Sequence, residues 1–132
     1  MQIKKLTPNL IVRNVEASLK FYRDVLGLET AMTVPEQAPY VFAGVSNGAI
    51  EIFFNDQKVV AAEYPKLAAT VGASLTLYME VDSLQVVLDR VQKSGAKISM
   101  PVTEQFYGMK EFAFEDADGY TVTIAEKITA GS

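Results

Sequence analysis

The sequence predicts an α+β fold built from two tandem βαβββ modules. Two amphipathic helices are indicated by apolar residues that recur on one helical face, each pattern starting after a polar capping residue and stopping at a glycine. The caps and stops, Asn14 with Gly27 and Asp82 with Gly95, enclose segments of equal length. One strand-like run precedes each helix and three follow it. The apolar helical positions are Val15, Leu19, Tyr22 and Leu26, and then Leu84, Val87, Leu88 and Val91.

The strands of the two modules correspond in order along the chain. Alternating or β-branched runs bounded by turn residues predict them, and the last two strands of each module are separated by Gly-containing and Asx-containing turns. The predicted strands cover residues 9–13, 29–34, 40–45 and 49–54 in the first module, and 75–81, 97–100, 111–115 and 121–126 in the second.

The two modules span about residues 4–55 and 73–127. Between them, the linker 56–72 carries an alanine-rich helical pattern that Pro65 breaks. Because the linker is not rich in serine or glycine, we expect both modules to pack as one domain, 1–132. The tail 128–132 has no strand pattern and is expected to be disordered.

Composition excludes several classes of function. The chain has no histidine and no cysteine, which rules out disulfides, a thiolate nucleophile and metal sites built from those side chains. Its net charge is −4, with no cluster of basic residues, so nucleic acid is not an expected partner. No apolar run reaches the length of about 18 residues that a membrane span needs. We therefore expect a soluble, cytoplasmic protein with no membrane partner.

Strand alternation divides the side chains into an apolar face and a mixed face. The apolar face is expected to form the core. The mixed face combines hydroxyls, an amide, carboxylates and aromatics, which would suit a concave cavity for a small molecule; a partly solvated sheet face is the alternative. The apolar positions are Leu10, Val12, Ile50, Ile52, Phe54, Leu75, Leu77, Met79, Val122 and Ile124. The mixed positions are Thr7, Asn9, Ile11, Glu51, Phe53, Thr76, Tyr78, Glu80, Thr121, Thr123 and Ala125.

Several motifs resemble the vicinal oxygen chelate superfamily, which includes glyoxalase I, extradiol dioxygenases and bleomycin resistance proteins. They are Leu10-Ile11-Val12, Ser18-Leu19-Lys20-Phe21-Tyr22, Leu26-Gly27-Leu28, Ala49-Ile50-Glu51-Ile52-Phe53, Tyr107-Gly108 and Phe114-Glu115-Asp116-Ala117-Asp118-Gly119-Tyr120. The resemblance covers nearly the whole chain. It implies the glyoxalase/bleomycin resistance fold, in which the two modules form a curved mixed sheet around a concave cavity.

Metal-containing members of that family hold the metal on the concave face. The resemblance carries their ligand positions onto Thr7, Glu51, Thr76 and Thr123. Only Glu51 is a ligand-type residue, and one carboxylate among hydroxyls cannot supply a transition-metal site. We therefore expect no metal and no cofactor, and no metal-dependent glyoxalase or dioxygenase activity.

Bleomycin-resistance-type members resemble this chain in lacking metal ligands. They sequester a ligand in a groove, usually as homodimers, which implies a metal-free small-molecule-binding protein with a role in antibiotic resistance. Aromatic rings suit a planar or cationic drug-like ligand, and Glu51 would supply the compensating charge. The predicted ligand-binding residues are Glu51, Phe53, Tyr78, Phe106, Tyr107, Thr7, Asn9, Thr76, Thr123 and Tyr40.

Two alternatives remain open from the sequence. In one, the protein is a metal-independent lyase or isomerase whose general base is Glu51, with a pKa raised by burial beside threonine and Phe53. In the other, it is an interaction module whose concave face is closed by a partner. Because Glu51 lacks an evident catalytic partner, we expect binding and predict no catalytic residue.

Overall fold

The computed structural model describes residues 1–129 and resolves the chain into two compact units. The first unit is Met1–Val71 and the second begins at Gly72. Each unit contains a four-stranded sheet with the strand order that the predicted duplication requires. The α+β fold of two βαβββ modules is thereby confirmed.

The first unit forms its sheet in the order β1-β4-β3-β2. Strand β1 runs parallel to β4, and the other two pairings are antiparallel. The linker that follows contains a seven-residue helix and a short 3-10 helix on either side of Pro65, as the sequence predicts. The elements are β1 (Asn9–Val12), α1 (Val15–Leu26), β2 (Glu29–Val34), β3 (Phe42–Ser46), β4 (Glu51–Asp56), α2 (Gln57–Glu63) and the 3-10 helix Leu67–Ala69.

The second unit repeats this topology in the order β5-β8-β7-β6. Strand β5 runs parallel to β8, and the remaining pairs are antiparallel. Its elements are β5 (Thr76–Glu80), α3 (Leu84–Ser94), β6 (Ile98–Glu104), β7 (Met109–Glu115) and β8 (Thr121–Lys127). Beyond β8, the Ile128 backbone N–H donates to the Gly108 carbonyl at 2.9 Å, so the predicted disorder does not begin at Ile128. Residues 130–132 of that tail lie outside the described residues.

Helix α1 begins and ends where the capping residues predict. The Ala17 backbone N–H donates to Asn14 Oδ1 at 2.9 Å, and Gly27 closes the helix with a φ of 68°. Glycine adopts a positive φ readily because it has no Cβ atom to clash with the backbone. The helix buries one face, with Tyr22 fully buried against the Phe54 ring at 5.0 Å between ring centres.

Helix α3 corrects one capping prediction. Its N-cap is Ser83 and not Asp82, and the Ser83 side chain makes no capping bond. The Glu126 carboxylate of β8 serves instead, accepting the Leu84 backbone N–H at 2.9 Å. This bond, and Lys110 beside it, hold the pKa of Glu126 below its ordinary value. A long-range cap of this kind leaves no local sequence signal. The predicted C-terminal stop at Gly95 is confirmed, with a φ of 75°.

The core of each unit lies between its helix and the apolar face of its sheet. Six of the predicted apolar positions are buried, and each contributes on the order of 1.5–3 kcal/mol. These are Leu10, Val12, Ile52, Phe54, Val122 and Ile124. The prediction is wrong for Ile50 and Leu75, which are 41% and 43% exposed, because each precedes its strand by one residue.

Several strand boundaries also differ from the prediction. Strand β3 starts at Phe42, which leaves Tyr40 outside it. Strand β6 continues through Pro101 to Glu104, four residues beyond its predicted end, because Pro101 stands at an edge of the sheet where a missing N–H is tolerated. Within the described part of the chain, none of the helices has the length and apolar character needed to cross a bilayer.

Candidate ligand-binding site

The predicted site residues divide equally between the two units. Thr7, Asn9, Tyr40, Glu51 and Phe53 belong to the first unit. Thr76, Tyr78, Phe106, Tyr107 and Thr123 belong to the second. Each group has its own contacts within its unit.

Glu51 forms an ion pair in the first unit. Lys5 Nζ donates to Glu51 Oε1 at 2.6 Å, and the Thr7 hydroxyl donates to the same oxygen at 3.3 Å. The Lys5 bond is the main reason that the pKa of Glu51 lies below its ordinary value. The expectation of a raised pKa is therefore wrong. A carboxylate stabilised in its charged form is a poorer base, and Lys5 already balances its charge.

Asn9 and Phe53 face each other across β1 and β4, but each is engaged by a neighbour. The Asn55 amide donates a hydrogen bond to Asn9 Oδ1. The Phe53 ring packs edge-on against Phe42 at 5.0 Å between ring centres. A Cβ atom on Gly44 would stand 3.2 Å from the Phe53 ring, so this glycine leaves room for the ring to lie over β3.

Tyr40 stands apart from these contacts in the segment before β3. Its backbone N–H donates to Glu16 Oε1 of α1 at 2.6 Å. That bond joins the segment to the helix. The structure thus corrects the placement of Tyr40 on the third strand.

A buried carboxylate lies at the centre of the second group. Glu111 of β7 is only 3% exposed, and two phenol hydroxyls donate to it. Tyr78 donates to Oε2 at 2.5 Å, and Tyr107 lies 2.8 and 2.9 Å from Oε1 and Oε2. Burying a charge requires such hydrogen bonds. We call these three residues the Tyr–Glu cluster.

The carboxylate shapes the chemistry of both phenols. The Glu111 hydrogen bond, followed by burial and the Glu111 charge, raises the pKa of Tyr78 to about 12; Glu80 contributes to a smaller extent. The same causes raise the pKa of Tyr107. Both phenols are therefore protonated donors at neutral pH. Both tyrosines are 52% exposed, so the cluster presents aromatic surface backed by negative charge.

Strand order and small side chains assemble the cluster. Strand β8 lies between β5 and β7, so the Tyr78 side chain must cross it to reach Glu111. Ala125 is the β8 residue paired with Glu111, and its methyl group leaves room for that crossing. Phe112 and Phe114 alternate with Glu111 and point into the core, where they are fully buried.

A tight turn before β7 brings Tyr107 over the same carboxylate. Gly108 has a φ of 84°, and its N–H donates to the Gln105 carbonyl at 3.1 Å. Phe106 is 99% exposed and packs edge-on against Tyr107 at 5.1 Å between ring centres. This loop therefore presents an almost fully solvated ring beside the cluster.

Thr76 and Thr123 satisfy each other. Their hydroxyl oxygens are 2.7 Å apart, in a hydrogen bond between β5 and β8. Since Glu51 is paired with Lys5, the four positions carried over from metal-containing relatives supply neutral hydroxyls and one compensated carboxylate. This donor set does not fit a transition metal. Among residues 1–129, no three Asp or Glu side chains form a group able to hold a metal ion.

The duplicated βαβββ topology, with one four-stranded mixed sheet in each unit, defines the fold class of the protein. The chain belongs to the Glyoxalase/Bleomycin resistance protein/Dioxygenase superfamily, whose family model matches residues 3–124. The resemblance read from the sequence motifs is thus confirmed. Comparison with curated protein sequences gives no significant match.

Solved structures share the fold at low sequence identity. A hypothetical protein from S. aureus is 18% identical, with a TM-score of 0.78 over 96% of this chain and 95% of its own. TioX from Micromonospora sp. ML1 is 14% identical, with a TM-score of 0.75 over 94% and 98% of the two chains. A glyoxalase/bleomycin resistance protein/dioxygenase from Nocardioides is 16% identical, with a TM-score of 0.77 over 100% and 88%.

Sequence reasoning missed two charged residues that decide the chemistry. Glu111 was placed on a strand but not on a face, although its alternation with Phe112 and Phe114 would have put it opposite the core. Lys5 lies before the first strand, where no periodicity applies. Its pairing with Glu51 is a long-range contact that only the folded structure brings together.

Proposed function

We propose that the protein is a metal-free small-molecule-binding protein whose Tyr–Glu cluster holds a planar, cationic ligand. The observation that carries this proposal is the buried Glu111 carboxylate between two half-exposed tyrosines. Glyoxalases, dioxygenases and bleomycin resistance proteins all engage small organic molecules, so membership of the superfamily supports it. Sequestration of an antibiotic is the role that the bleomycin resistance members suggest.

The charge distribution favours a cation over an anion or a neutral molecule. A cation over an aromatic face is attracted to the ring, and a carboxylate beside the ring adds to that attraction. Glu111 supplies the charge through its bonds to both phenols, and Glu80 adds a second carboxylate near Tyr78. In this proposal Glu111 takes the counter-charge role that the sequence assigned to Glu51.

Binding is proposed in preference to catalysis. A general base at neutral pH needs a raised pKa, whereas Lys5 lowers the pKa of Glu51. Glu111 accepts hydrogen bonds from two phenols that remain protonated. Neither of these two carboxylates is set up to remove a proton from a substrate, so neither supports the lyase or isomerase alternative.

Fluorescence titration with the aminoacridine cation tests the proposal, with neutral acridine as the matched ligand. Aminoacridine is expected to bind more tightly than acridine. Because each cation–ring contact contributes modestly, Tyr78→Ala and Tyr107→Ala should each weaken binding by about 2- to 30-fold. Tyr78→Phe keeps the ring and should retain most of the affinity. Equal affinity for the two ligands, or an unchanged affinity in both alanine variants, would contradict the proposal.

The remaining expectations follow from the same proposal. We propose a cytoplasmic homodimer in which residues 4–55 and 73–127 act as modules of one domain joined by the linker 56–72. Superfamily membership supports the dimer. Sedimentation equilibrium measures the assembly directly: a mass that stays at 14.5 kDa at all concentrations would exclude the dimer.

A further inference from the structure

A pocket in the first unit lies beside the linker helix and is separate from the Tyr–Glu cluster. Its volume is about 190 Å³. Asn9, Ile11 and Asn55 line it from the ends of β1 and β4. The other lining residues come from α2, from its C-cap Tyr64 and from Leu67, the first residue of the 3-10 helix.

Local hydrogen bonds fix α2 and the 3-10 helix on one side of the pocket. Asp56 caps α2 by accepting the backbone N–H groups of Lys58 and Val59 at 2.9 and 3.3 Å. The Gln57 side-chain amide donates to the Ala68 carbonyl at 2.8 Å and ties the 3-10 helix back to the start of α2. The Ala68 backbone N–H donates to the Tyr64 carbonyl at 3.0 Å. This wall is thus already ordered by hydrogen bonds, so binding a ligand would cost little conformational entropy there.

The lining combines apolar walls with a few polar groups. Val59, Val60 and Leu67 contribute aliphatic surface, and Tyr64 contributes a ring. On the strand side, the single bond between Asn55 and Asn9 leaves further amide groups of both residues able to bond a ligand. Small-molecule sites typically have this composition.

The size and charge of the pocket select the ligand class. A cavity of about 150 Å³ accommodates benzene, so this pocket has room for one ring with a short polar arm. The one charged residue among its lining residues is Glu63, a carboxylate. We propose that the pocket binds a monocyclic arylalkylammonium ion, with its ring among the valines and Tyr64 and its ammonium group bonded to Glu63 and the asparagine amides.

Benzylammonium is the probe, followed by 15N-resolved NMR titration of the full chain. Saturable shifts are expected at the backbone amides of Asn9, Asn55 and residues 57–64, 66 and 67. Benzyl alcohol and benzoate have the same ring without the positive charge. Both should bind more weakly than benzylammonium, benzoate the most weakly because Glu63 would repel it. Equal binding of the alcohol, or no saturable shift with benzylammonium, would overturn the proposal.

Two pairs of variants localise the effect. Val59→Trp places a large ring at a half-exposed pocket position and should abolish the shifts, whereas Val86→Trp makes the same change at a similarly exposed position of α3 and should leave them intact. Glu63→Gln should weaken benzylammonium binding by roughly 3- to 5-fold, as expected for an exposed ion pair. Glu29→Gln, at an exposed position outside the lining, should not. Shifts that persist in Val59→Trp would refute this site.

The result is distinguishable from failure of the proposed function. Tyr78→Ala removes a ring of the second unit and should leave the benzylammonium shifts of the first unit unchanged. Loss of those shifts in Tyr78→Ala, with retention in Val59→Trp, would assign the ligand to the Tyr–Glu cluster and refute the pocket.

Discussion

The Tyr–Glu cluster predicts that Tyr78 ionises at a higher pH than an ordinary tyrosine. The pKa of Tyr78 is raised from 10.0 to about 12, first because its hydroxyl donates to Glu111 and then through burial and the negative charge of Glu111. At about pH 11 an ordinary tyrosine is roughly nine-tenths ionised, whereas Tyr78 should be roughly one-tenth ionised. A raised pKa also means that the hydrogen bond stabilises the fold below pH 10 and that this contribution is lost as pH rises towards 12.

Stopped-flow pH jumps with detection of phenolate absorbance measure this ionisation before the chain can unfold. Subtracting the absorbance of Tyr78→Phe from that of the native protein leaves the signal of the Tyr78 phenolate, which should form with a midpoint near pH 12. The same subtraction in denaturant gives the pKa of Tyr78 in the unfolded chain, near 10.0. Glu111→Gln removes the charge and should move the native midpoint down towards that reference. A native midpoint at the unfolded value, or no change in Glu111→Gln, would refute the reasoning.

Two backbone features predict changes in the free energy of unfolding, each with a matched control and measurable by denaturant titration. Gly72→Ala places a Cβ 2.2 Å from the Asp118 carbonyl at a φ of +87°; we expect a loss of roughly 2–4 kcal/mol. Gly48→Ala, with similar φ but open space, should cost only about 1 kcal/mol; equal losses would contradict the clash. Asn14→Ala removes the α1 cap and should cost about 1 kcal/mol, whereas Ser83→Ala removes no capping bond and should cost less than about 0.5 kcal/mol.

The fold was predictable because its signals are local and repeated. Helix α1 carries its own cap at Asn14 and its own stop at Gly27, so its bounds follow from neighbours in the sequence. The start of helix α3 could not be predicted from neighbouring residues in this way. Its first N–H is satisfied by Glu126, which is distant in sequence, and the local candidate Asp82 is not used. Terminal residues of strands depend on pairing in the same way, which explains the misplaced start of β3.

The site was predictable as a face but not as a set of contacts. Alternation assigns Thr76, Tyr78 and Thr123 to one face, and in the structure the two threonine hydroxyls bond each other. It could not show which partner each polar group would find. Glu51 forms an ion pair with Lys5, and the phenols donate hydrogen bonds to Glu111. Charge compensation depends on distances of a few ångströms between segments far apart in sequence, and no periodicity encodes those distances.

The two units use one scaffold for two different surfaces. In the first sheet, Phe53 lies over Gly44 and ends against the Phe42 ring, so the aromatic group contacts another apolar group. In the second sheet, Tyr78 of β5 reaches across β8, and its hydroxyl donates to the carboxylate of Glu111 on β7. The registers place Phe42 and Glu111 at corresponding positions. Phe42 pairs with β4 two residues beyond Phe53, which pairs with β1, and Glu111 pairs with β8 two residues beyond Thr123, which pairs with β5. The first sheet thus has an aromatic ring at the position whose counterpart in the second sheet is a carboxylate that accepts two phenol hydroxyls.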